Sequence, residues 1–277
     1  FQILFVRPHY INFMKSLSSP MKSYIHKIFW ILSSQLGIDP RKFISSIIGI
    51  PKFISDYISF TKLYKGKINI LPCFSDWMSE GGSTKSEYFW QDIYVAKKVF
   101  DCTPLKHVDI GSRVDSFVAH VASFREIEIF DIRPINAVIP GVTFKKADLM
   151  NISDYESYCD SLSCLHALEH FGLGRYGDPI NVDGYKHGLV NMASILKPGG
   201  IFYLSVPTGF ERVEFNAHRI FNPVSLVEFT QSLGLSLSEV AWIDPVTKIN
   251  VSKDHNNDLN MLANQNYMLG IFTFMKR

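Results

Sequence analysis

The sequence predicts an α/β protein in which helices cover both faces of a mostly parallel sheet, preceded by a helical extension. Three observations lead to this prediction. Strand-like and helix-like segments alternate from residue 85 onward, which is typical of a doubly wound sheet. A polar residue follows each of the first four predicted strands. A difference in charge separates the mainly helical extension, residues 1–84, from the main domain, residues 85–277.

The composition limits the class of protein. A chain of 277 residues with 47% hydrophobic and 19% charged residues can bury a globular core. Its longest apolar stretches fall short of the roughly 18 residues that a bilayer span needs. The four cysteines form no C-x-x-C pair, so we expect free thiols and a cytoplasmic protein. The first residue is Phe1, and we therefore expect a longer natural product, with a targeting segment left open.

The extension is basic. Residues 1–70 carry ten basic and two acidic side chains, a balance of +8, and the rest of the chain carries −6 to give the net charge of +2. Its apolar residues predict short amphipathic helices that break at Pro40 and Pro51. We expect this arm to pack on the main domain. The alternative is peripheral contact with an anionic membrane, at the inner face of the cell membrane, because such contact needs basic and apolar side chains together. We expect no binding of nucleic acid.

The predicted elements of the main domain follow in chain order. A helix in "EYFWQDIYVAKKVF" precedes a strand in "HVDIG" and a helix in "SFVAHVASF". The segments "EIEIFDI", "VTFKKADL" and "YCDSLSCL" predict the second, third and fourth strands. A helix in "VNMASILKPGG" stops at its glycines before a fifth strand, "IFYLSVP". After a helix in "NPVSLVEFTQSLG", the segments "SLSEVAWI" and "YMLGIFTFM" predict an antiparallel edge pair.

Polar side chains stand where four predicted strands end. Asp109 and Gly111 close the first strand, and a glycine lets the backbone approach a ligand. Asp131 ends the second strand 20 residues after Gly111, the spacing of the acid that binds ribose hydroxyls in nucleotide-binding sheets. Asp148 and His166 follow the third and fourth strands. Because the carboxyl ends of parallel strands meet at one edge, the series predicts a nucleoside-binding pocket.

The order of "HVDIGSR", "IFDIRP", "KKADL", "LHALEH" and "ILKPGGIFYLSVP" resembles the class I S-adenosylmethionine-dependent methyltransferases over residues 85–277. More narrowly, "SCLHALEHFGLGRYGDP" with "EFNAHRIF" is similar to an uncharacterised bacterial family, the DUF268 proteins, which often appear beside glycan-assembly enzymes. The resemblance implies a seven-stranded Rossmann-like sheet and S-adenosyl-L-methionine as cofactor. It implies cofactor contacts at the methionine end, the ribose, the adenine and the methyl group from Asp109, Gly111, Ser112, Arg113, Asp131, Asp148, Leu149 and His166.

One departure from the methyltransferase pattern concerns the loop after the first strand. Typical members carry G-x-G there, whereas this sequence has Arg113 at the second glycine and Asp115 where a third often stands. Arg113 can pair with the methionine carboxylate of the cofactor, or its bulk can block the pocket. The second case predicts a non-catalytic binding or scaffolding module in a glycan-assembly complex.

His166, Glu169 and His170 also match H-x-x-E-H, the zinc-binding pattern of one metallopeptidase class. In that interpretation both histidines face one metal ion from a well-formed helix. The predicted strand places His166 at a strand end, where it cannot share a helical face with His170, so we expect no metal. The two histidines can also serve only to orient the loop.

The substrate side is predicted to lie on two segments. The loop "GLGRYGDPINVDG" is glycine-rich and long enough to cover a substrate, and "GFERVEFNAHRIF" follows the fifth strand. The side chains expected to bind a hydroxylated substrate are Arg175, Tyr176, Asp178, Asn216 and Arg219, with Tyr185 as a second stacking ring. His218 is the first choice for a base, His170 the second, and Glu169 an orienting partner. The sequence thus predicts an O-methyltransferase acting on a sugar or glycan intermediate of cell-surface polysaccharide assembly.

Overall fold

The computed structural model describes residues 24–25, 28–79, 81–82, 84–152, 154–244 and 248–277. Its contacts divide the chain into two units, Phe1–Gly82 and Ser83–Arg277. In the described part of the chain, no helix has both the length and the apolar character needed to cross a membrane. The four cysteines are free thiols, two of them buried on one strand of the second unit.

The main element of the first unit is a 24-residue helix, α1, Pro40–Leu63. Pro40 begins it, because its fixed φ suits the first helical turn, and the Asp39 side chain caps it by accepting from the backbone N–H of Arg41 at 2.9 Å. The predicted break at Pro51 is wrong, since α1 continues through this residue. Pro51 removes one intrahelical hydrogen bond, and the helix is exposed on this side, so water can satisfy the carbonyl that loses its donor.

The second unit contains the sheet and its helices. In chain order the elements are α2 Glu87–Cys102, β1 His107–Ile110, a distorted turn Val114–Val118, α3 Ala119–Ala122, β2 Ile127–Asp131, β3 Val142–Lys146, β4 Cys159–Leu165, a 3-10 turn Leu168–His170, α4 Gly184–Ile195, β5 Leu196–Thr208, β6 Arg212–Glu214, β7 His218–Ile220, α5 Pro223–Ser232, β8 Leu235–Asp244, β9 Lys248–Val251, α6 His255–Ala263 and β10 Met268–Lys276.

The described strands form an eight-stranded sheet in the order β3-β2-β1-β4-β5-β10-β8-β9. Strands β1 to β5 are parallel, and β10 lies antiparallel between β5 and β8. The predicted Rossmann-like α/β fold with helices on both faces is confirmed. The sheet has one strand more than expected, because β9 pairs with β8 at the outer edge. A short antiparallel pair, β6 and β7, stands outside it.

Two hydrophobic clusters hold the helices against the two faces of the sheet. On one face, α2 and the chain after β1 bury Val95 and Val121 against Ile129 of β2. On the other face, α4 and α5 bury Leu189 and Leu226 among the alternate residues of β1, β4 and β5. The strand order reverses between β1 and β4, which is the switch point where open α/β sheets bind ligands outside the carboxyl ends of their strands.

Candidate functional site

A pocket with about 540 Å³ of empty space, open to solvent, lies at the carboxyl ends of β1 to β4. Gly111, Asp131, Asp148 and His166 all line it, so the structure brings together the polar or glycine residues predicted at four strand ends. The remaining lining residues are mostly apolar: Ile110, Phe130, Ile132, Arg133, Ala147, Leu149, Met150, Ala167, His170, Phe171, Tyr176 and Asp178. An apolar pocket with a few convergent polar groups is the usual form of a small-molecule site.

At the end of β1, the backbone of Gly111 packs closely against Ala167 beside the pocket. Its backbone N–H donates to Phe130 O at 3.0 Å, and its φ of +69° lies in the left-handed region. A Cβ atom at this position would lie 3.0 Å from the Cβ of Ala167. Glycine therefore keeps both the backbone conformation and the space at this side of the pocket.

Asp109 and Ser112, which the resemblance places at the cofactor, are not among the residues that line the pocket. Asp109 is fully buried, and its carboxyl accepts hydrogen bonds from the Ser112 backbone N–H, the Ser112 hydroxyl and the Ser163 hydroxyl. Burial raises the pKa of Asp109 to about 7, although these hydrogen bonds oppose the shift. The two residues therefore hold the loop after β1 in place behind the pocket wall.

Arg113 lies outside the pocket and does not fill it. Its guanidinium forms an ion pair with Asp115 at 2.7 Å, and both side chains are well exposed, at 62% and 70%. The exposed position gives Arg113 no lining contact with the pocket in this structure. Arg113, which stands at the second glycine position of G-x-G, therefore does not block the pocket in this structure.

Asp131 is covered by Arg133, a pocket residue that the sequence analysis missed. The carboxylate of Asp131 accepts from the Arg133 guanidinium at 2.7 and 3.1 Å and from the Arg133 backbone N–H at 2.8 Å. The same guanidinium lies 4.4 Å from the ring centroid of Tyr176. The signal in the sequence was an arginine two residues after the acid, at a spacing that lets opposite charges meet.

Asp148 closes the turn after β3. Its carboxylate accepts from the Met150 backbone N–H at 2.9 Å and from the Asn151 side-chain amide at 2.7 Å. Leu149 and Met150 are almost completely buried and supply an apolar wall beside it. This part of the pocket suits a flat apolar group with polar edges.

His166 lies between two carboxylates. Its Nδ1 is 2.7 Å from Glu169 Oε1, and its Nε2 is 3.2 Å from Glu87 Oε1, while the Tyr267 hydroxyl donates to Glu87 at 2.6 Å. Burial lowers the pKa of His166, but the two carboxylates outweigh it and raise this pKa to about 9. His166 is therefore an imidazolium at neutral pH. Sequence gave no sign of Glu87, which lies 79 positions before His166.

His170 also lines the pocket, but unlike His166 its imidazole is neutral. Its Nδ1–H donates to Ala217 O at 2.7 Å, an assignment that follows from the carbonyl being an acceptor only. Nε2 therefore carries a lone pair, 3.7 Å from Glu169 Oε1. Burial lowers the pKa of His170, although Glu169 opposes this. A neutral imidazole with a fixed tautomer in a pocket can accept a proton.

His218, the first choice for a base, does not line the pocket. It begins β7, is half-buried, and its ring lies against Tyr267 with 6.3 Å between centroids. Burial lowers the pKa of His218 as well. The structure therefore places His170, rather than His218, where a bound ligand can reach it.

The zinc interpretation does not fit the backbone. His166 follows β4 with a left-handed φ of +54°, and His170 ends a 3-10 turn, so their rings do not share one face of a helix. Within the described ranges, no group of three or more histidine, cysteine, aspartate or glutamate side chains is arranged to hold a metal ion.

The glycine-rich loop is folded by Asp178. Its carboxylate accepts from the backbone N–H groups of Gly172, Gly174 and Tyr176. The Tyr176 ring is 37% exposed and packs edge-on against His170 with 5.3 Å between centroids. Arg175 donates to Ala217 O at 2.8 Å and is otherwise exposed. The loop thus places one aromatic ring at the mouth of the pocket.

Arg219, predicted to bind the substrate, is not among the residues that line the pocket. Its side chain is 6% exposed, and its guanidinium donates to backbone carbonyls on both sides of the glycine-rich loop, those of Glu169, Phe171, Asn181 and Val182. Asn216 is exposed in the turn between β6 and β7 and does not line the pocket. Tyr185 packs against Phe221 and the Arg219 guanidinium rather than at the pocket mouth.

The protonation of His166 predicts a loss of stability at alkaline pH. Its folded-state pKa of about 9 lies above the ordinary value of 6.5, so the stabilisation is complete below pH 6.5 and is lost as the pH rises through 9. We expect His166 to contribute about 2 kcal/mol to the fall in the free energy of unfolding between pH 7.5 and 9.5, as measured by urea titrations. This window lies above the Asp109 pKa of about 7. The buried thiols of Cys159 and Cys164 also favour unfolding in this window, because burial raises their pKa values and they ionise only in the unfolded chain. His166→Gln should therefore remove about 2 kcal/mol of the fall and keep the rest. An equally steep profile in that variant would contradict the assignment.

The fold and the pocket together define a Rossmann-like α/β protein with a pocket at the carboxyl ends of β1 to β4. Within it, residues 141–256 match the family model described as "Caenorhabditis protein of unknown function, DUF268". The predicted resemblance to DUF268 is supported over that part of the chain. The description names Caenorhabditis, so it does not support a bacterial family. No curated protein sequence matches the chain.

Solved structures with this fold have low sequence identity to the chain. Burkholderia thailandensis 1,6-didemethyltoxoflavin-N1-methyltransferase, with bound 1,6-didemethyltoxoflavin and S-adenosylhomocysteine, is 13% identical, with 86% of this chain and 91% of that chain covered and a TM-score of 0.48. The [4+2]-cyclase SpnF is 13% identical, with 66% and 80% covered and a TM-score of 0.46. An S-adenosylmethionine-dependent methyltransferase from Clostridium acetobutylicum is 11% identical, with 68% and 92% covered and a TM-score of 0.46. At these values the activity has to be argued from the site.

Proposed function

We propose that this protein is an S-adenosylmethionine-dependent O-methyltransferase that acts on a hydroxyl of a sugar or glycan intermediate of cell-surface polysaccharide assembly. The observation that carries the proposal is the pocket at the switch point, where the ends of β1 to β4 present Gly111, Asp131, Asp148 and His166 together. A nucleoside spanning such strand ends is the usual ligand of this kind of sheet.

The residues present fit S-adenosylmethionine. Gly111 leaves room for close backbone approach, Asp131 offers a carboxylate to ribose hydroxyls, and Leu149 with Met150 offers an apolar wall to the adenine. His166 lies on the side where the resemblance puts the methyl group. When bound, this cofactor supplies an electrophilic methyl group on a sulfonium sulfur.

His170 is the proposed base. With the methyl group supplied by the bound cofactor, His170 Nε2 would accept the proton that the acceptor hydroxyl loses. Glu169 Oε1, 3.7 Å from Nε2, stabilises the imidazolium that forms. Glu87, His166 and Glu169 carry one net negative charge between them, because His166 is protonated. This buried charge favours the extra proton on His170.

The mouth of the pocket supports a hydroxylated acceptor. The exposed part of the Tyr176 ring can lie against the apolar face of a sugar. The exposed Arg175 stands beside this ring, 5.2 Å from its centroid, and can donate to hydroxyl or phosphate oxygens. These two residues are the ones expected to decide which acceptor is used.

Cofactor binding tests the proposal directly. S-adenosylhomocysteine at about 100 times its Kd should raise the Tm by roughly 5 °C, since a ligand that binds only the folded state adds about 2.7 kcal/mol at that ratio. Asp131→Ala should abolish the shift in Tm, because the ribose loses its acceptor. The measurement is a thermal melt with and without the ligand.

Two variants outside the pocket control this experiment. Asp115→Asn and Arg113→Gly break the exposed ion pair beside the pocket and should keep the full shift in Tm. Retention of the shift in Asp131→Ala would contradict the ribose assignment. Absence of any shift in the wild type at millimolar ligand would instead support the non-catalytic binding or scaffolding module of the same fold.

A further inference from the structure

Helix α1 exposes an apolar face. Phe43, Ile47, Ile50, Ile54 and Ile58 recur three or four residues apart, so they lie on one side of the helix. Their exposed fractions are 67%, 53%, 37%, 49% and 50%. A helix in a water-soluble protein normally buries such a stripe. This apolar face extends over about 22 Å of the helix at 1.5 Å per residue.

The packing of the first unit uses another side of α1. Gly49 is buried, and a Cβ atom there would lie only 1.6 Å from Phe74 O, which means that the chain at Phe74 crosses directly over this glycine. The Phe53 and Phe74 rings pack edge-on with 5.3 Å between centroids, and Lys52 Nζ lies 5.8 Å from the Trp77 ring. The segment around residues 74–77 thus covers the side of Gly49 and Phe53, whereas the five residues of the apolar face are exposed in the described part of the chain.

The charge around α1 is net positive. Residues 39–67 carry six basic side chains and only two acidic ones, a balance of +4. Both acids are already paired, Asp39 with Arg41 at 3.3 Å and Asp56 with Lys52 at 2.6 Å. A second copy of this chain would bring a further +4 against the face and be repelled. A surface with negative charge and an apolar interior is complementary to it.

We propose that α1 binds the surface of an anionic lipid bilayer, with its axis in the plane of the membrane. The apolar face enters the boundary between headgroups and acyl chains, and the basic side chains attract anionic lipids. The polar side of the helix, with Ser45, Ser59 and the Lys52–Asp56 pair, stays in water. This inference does not depend on the proposed methyl transfer.

The test is co-sedimentation of the full chain with vesicles of phosphatidylcholine and phosphatidylglycerol at 3:1, compared with phosphatidylcholine alone. We expect at least tenfold stronger binding to the anionic vesicles at low salt, because each basic residue near the surface contributes about 1 kcal/mol, or roughly fivefold. Binding should decline as the salt concentration rises. Equal binding to both vesicle types, or none to either, would overturn the proposal.

A matched pair of variants tests which face binds. Ile54→Glu and Ser59→Glu add the same charge to exposed positions on opposite sides of α1. Ile54→Glu should weaken vesicle binding by on the order of 30-fold or more, because an apolar side chain leaves the bilayer and a charge replaces it. Ser59→Glu should weaken binding by about fivefold.

Circular dichroism of both variants should show unchanged helix content, since both positions are exposed. Equal losses of binding in the two variants would overturn the assignment of the face. The wild-type chain could instead fail to bind vesicles and form dimers that dissociate in Ile54→Glu. That result would assign the apolar face to a second copy of the chain and overturn the proposal.

Discussion

His170→Ala is expected to reduce turnover by at least about a hundredfold while cofactor affinity changes less than about threefold. The reason is geometric. His170 lines the pocket, its Nδ1–H is held by Ala217 O at 2.7 Å, and its Nε2 is left to accept the proton of the acceptor hydroxyl. A positioned base is worth about 10²–10⁴-fold. The measurement is turnover with a saturating methyl donor, alongside the Kd for S-adenosylhomocysteine.

His218→Ala is the matched control for this prediction. His218 is half-buried on β7 and does not line the pocket, so we expect its turnover to stay within about threefold of the wild type. The pH profile adds a second readout. Because burial lowers the pKa of His170 below its ordinary value of 6.5, wild-type turnover should fall in acid and be level from neutral pH to about pH 8, below the His166 pKa of about 9. A large loss in His218→Ala with none in His170→Ala would restore the choice made from sequence.

Arg219→Met is expected to lower the free energy of unfolding by about 3 kcal/mol. The guanidinium of Arg219 is buried and donates to four backbone carbonyls of the chain around the glycine-rich loop. Methionine keeps much of the side-chain volume but donates no hydrogen bond, so buried carbonyls lose their partners at about 1–3 kcal/mol each when unsatisfied. Urea titration measures the change.

Arg175→Met separates this effect from the general loss of an arginine. Arg175 is exposed, and its guanidinium donates to one carbonyl, that of Ala217, at 2.8 Å. Its removal should cost less than about 1 kcal/mol. Similar losses of stability in the two variants would mean that the burial of Arg219 does not matter. A stable Arg219→Met with weakened acceptor binding would return this residue to the substrate site.

The sheet could be predicted because its signal is local. Strands β1 to β5 are bounded by turns, and each carboxyl end carries its own polar residue or glycine, so the pocket could be anticipated at Gly111 and Asp131. The elements that were missed are short or lack a clear pattern. Strands β6, β7 and β9 have three or four residues each, too few for a periodic pattern to be recognised. The prediction of a helix break at Pro51 was wrong because the helix propensity of one residue is a weak signal, which the rest of a long helix can override.

The chemistry of the site was harder to predict because it depends on contacts between distant residues. Glu87 begins α2 and yet sets the charge of His166 at the end of β4. Arg219 was predicted from sequence to bind the substrate, whereas in the structure it is buried and donates to backbone carbonyls. His170 and His218 are both histidines in polar segments, and only the position of the pocket distinguishes them. The sequence therefore identified candidate site residues, whereas their charge and burial became clear only from the contacts in the structure.

In the ion pair between Asp131 and Arg133, the guanidinium competes with any ligand that would bind the Asp131 carboxylate. Arg133 covers Asp131, the proposed ribose acceptor, at 2.7 Å, and we expect this arginine to rotate away from part of the carboxylate when a nucleoside binds there. The apparent affinity then equals the intrinsic affinity multiplied by the fraction of molecules in which Arg133 has moved. Since that guanidinium also rests on the Tyr176 ring at 4.4 Å, the occupancy of the nucleoside site and the position of the ring that meets the acceptor are linked through one side chain.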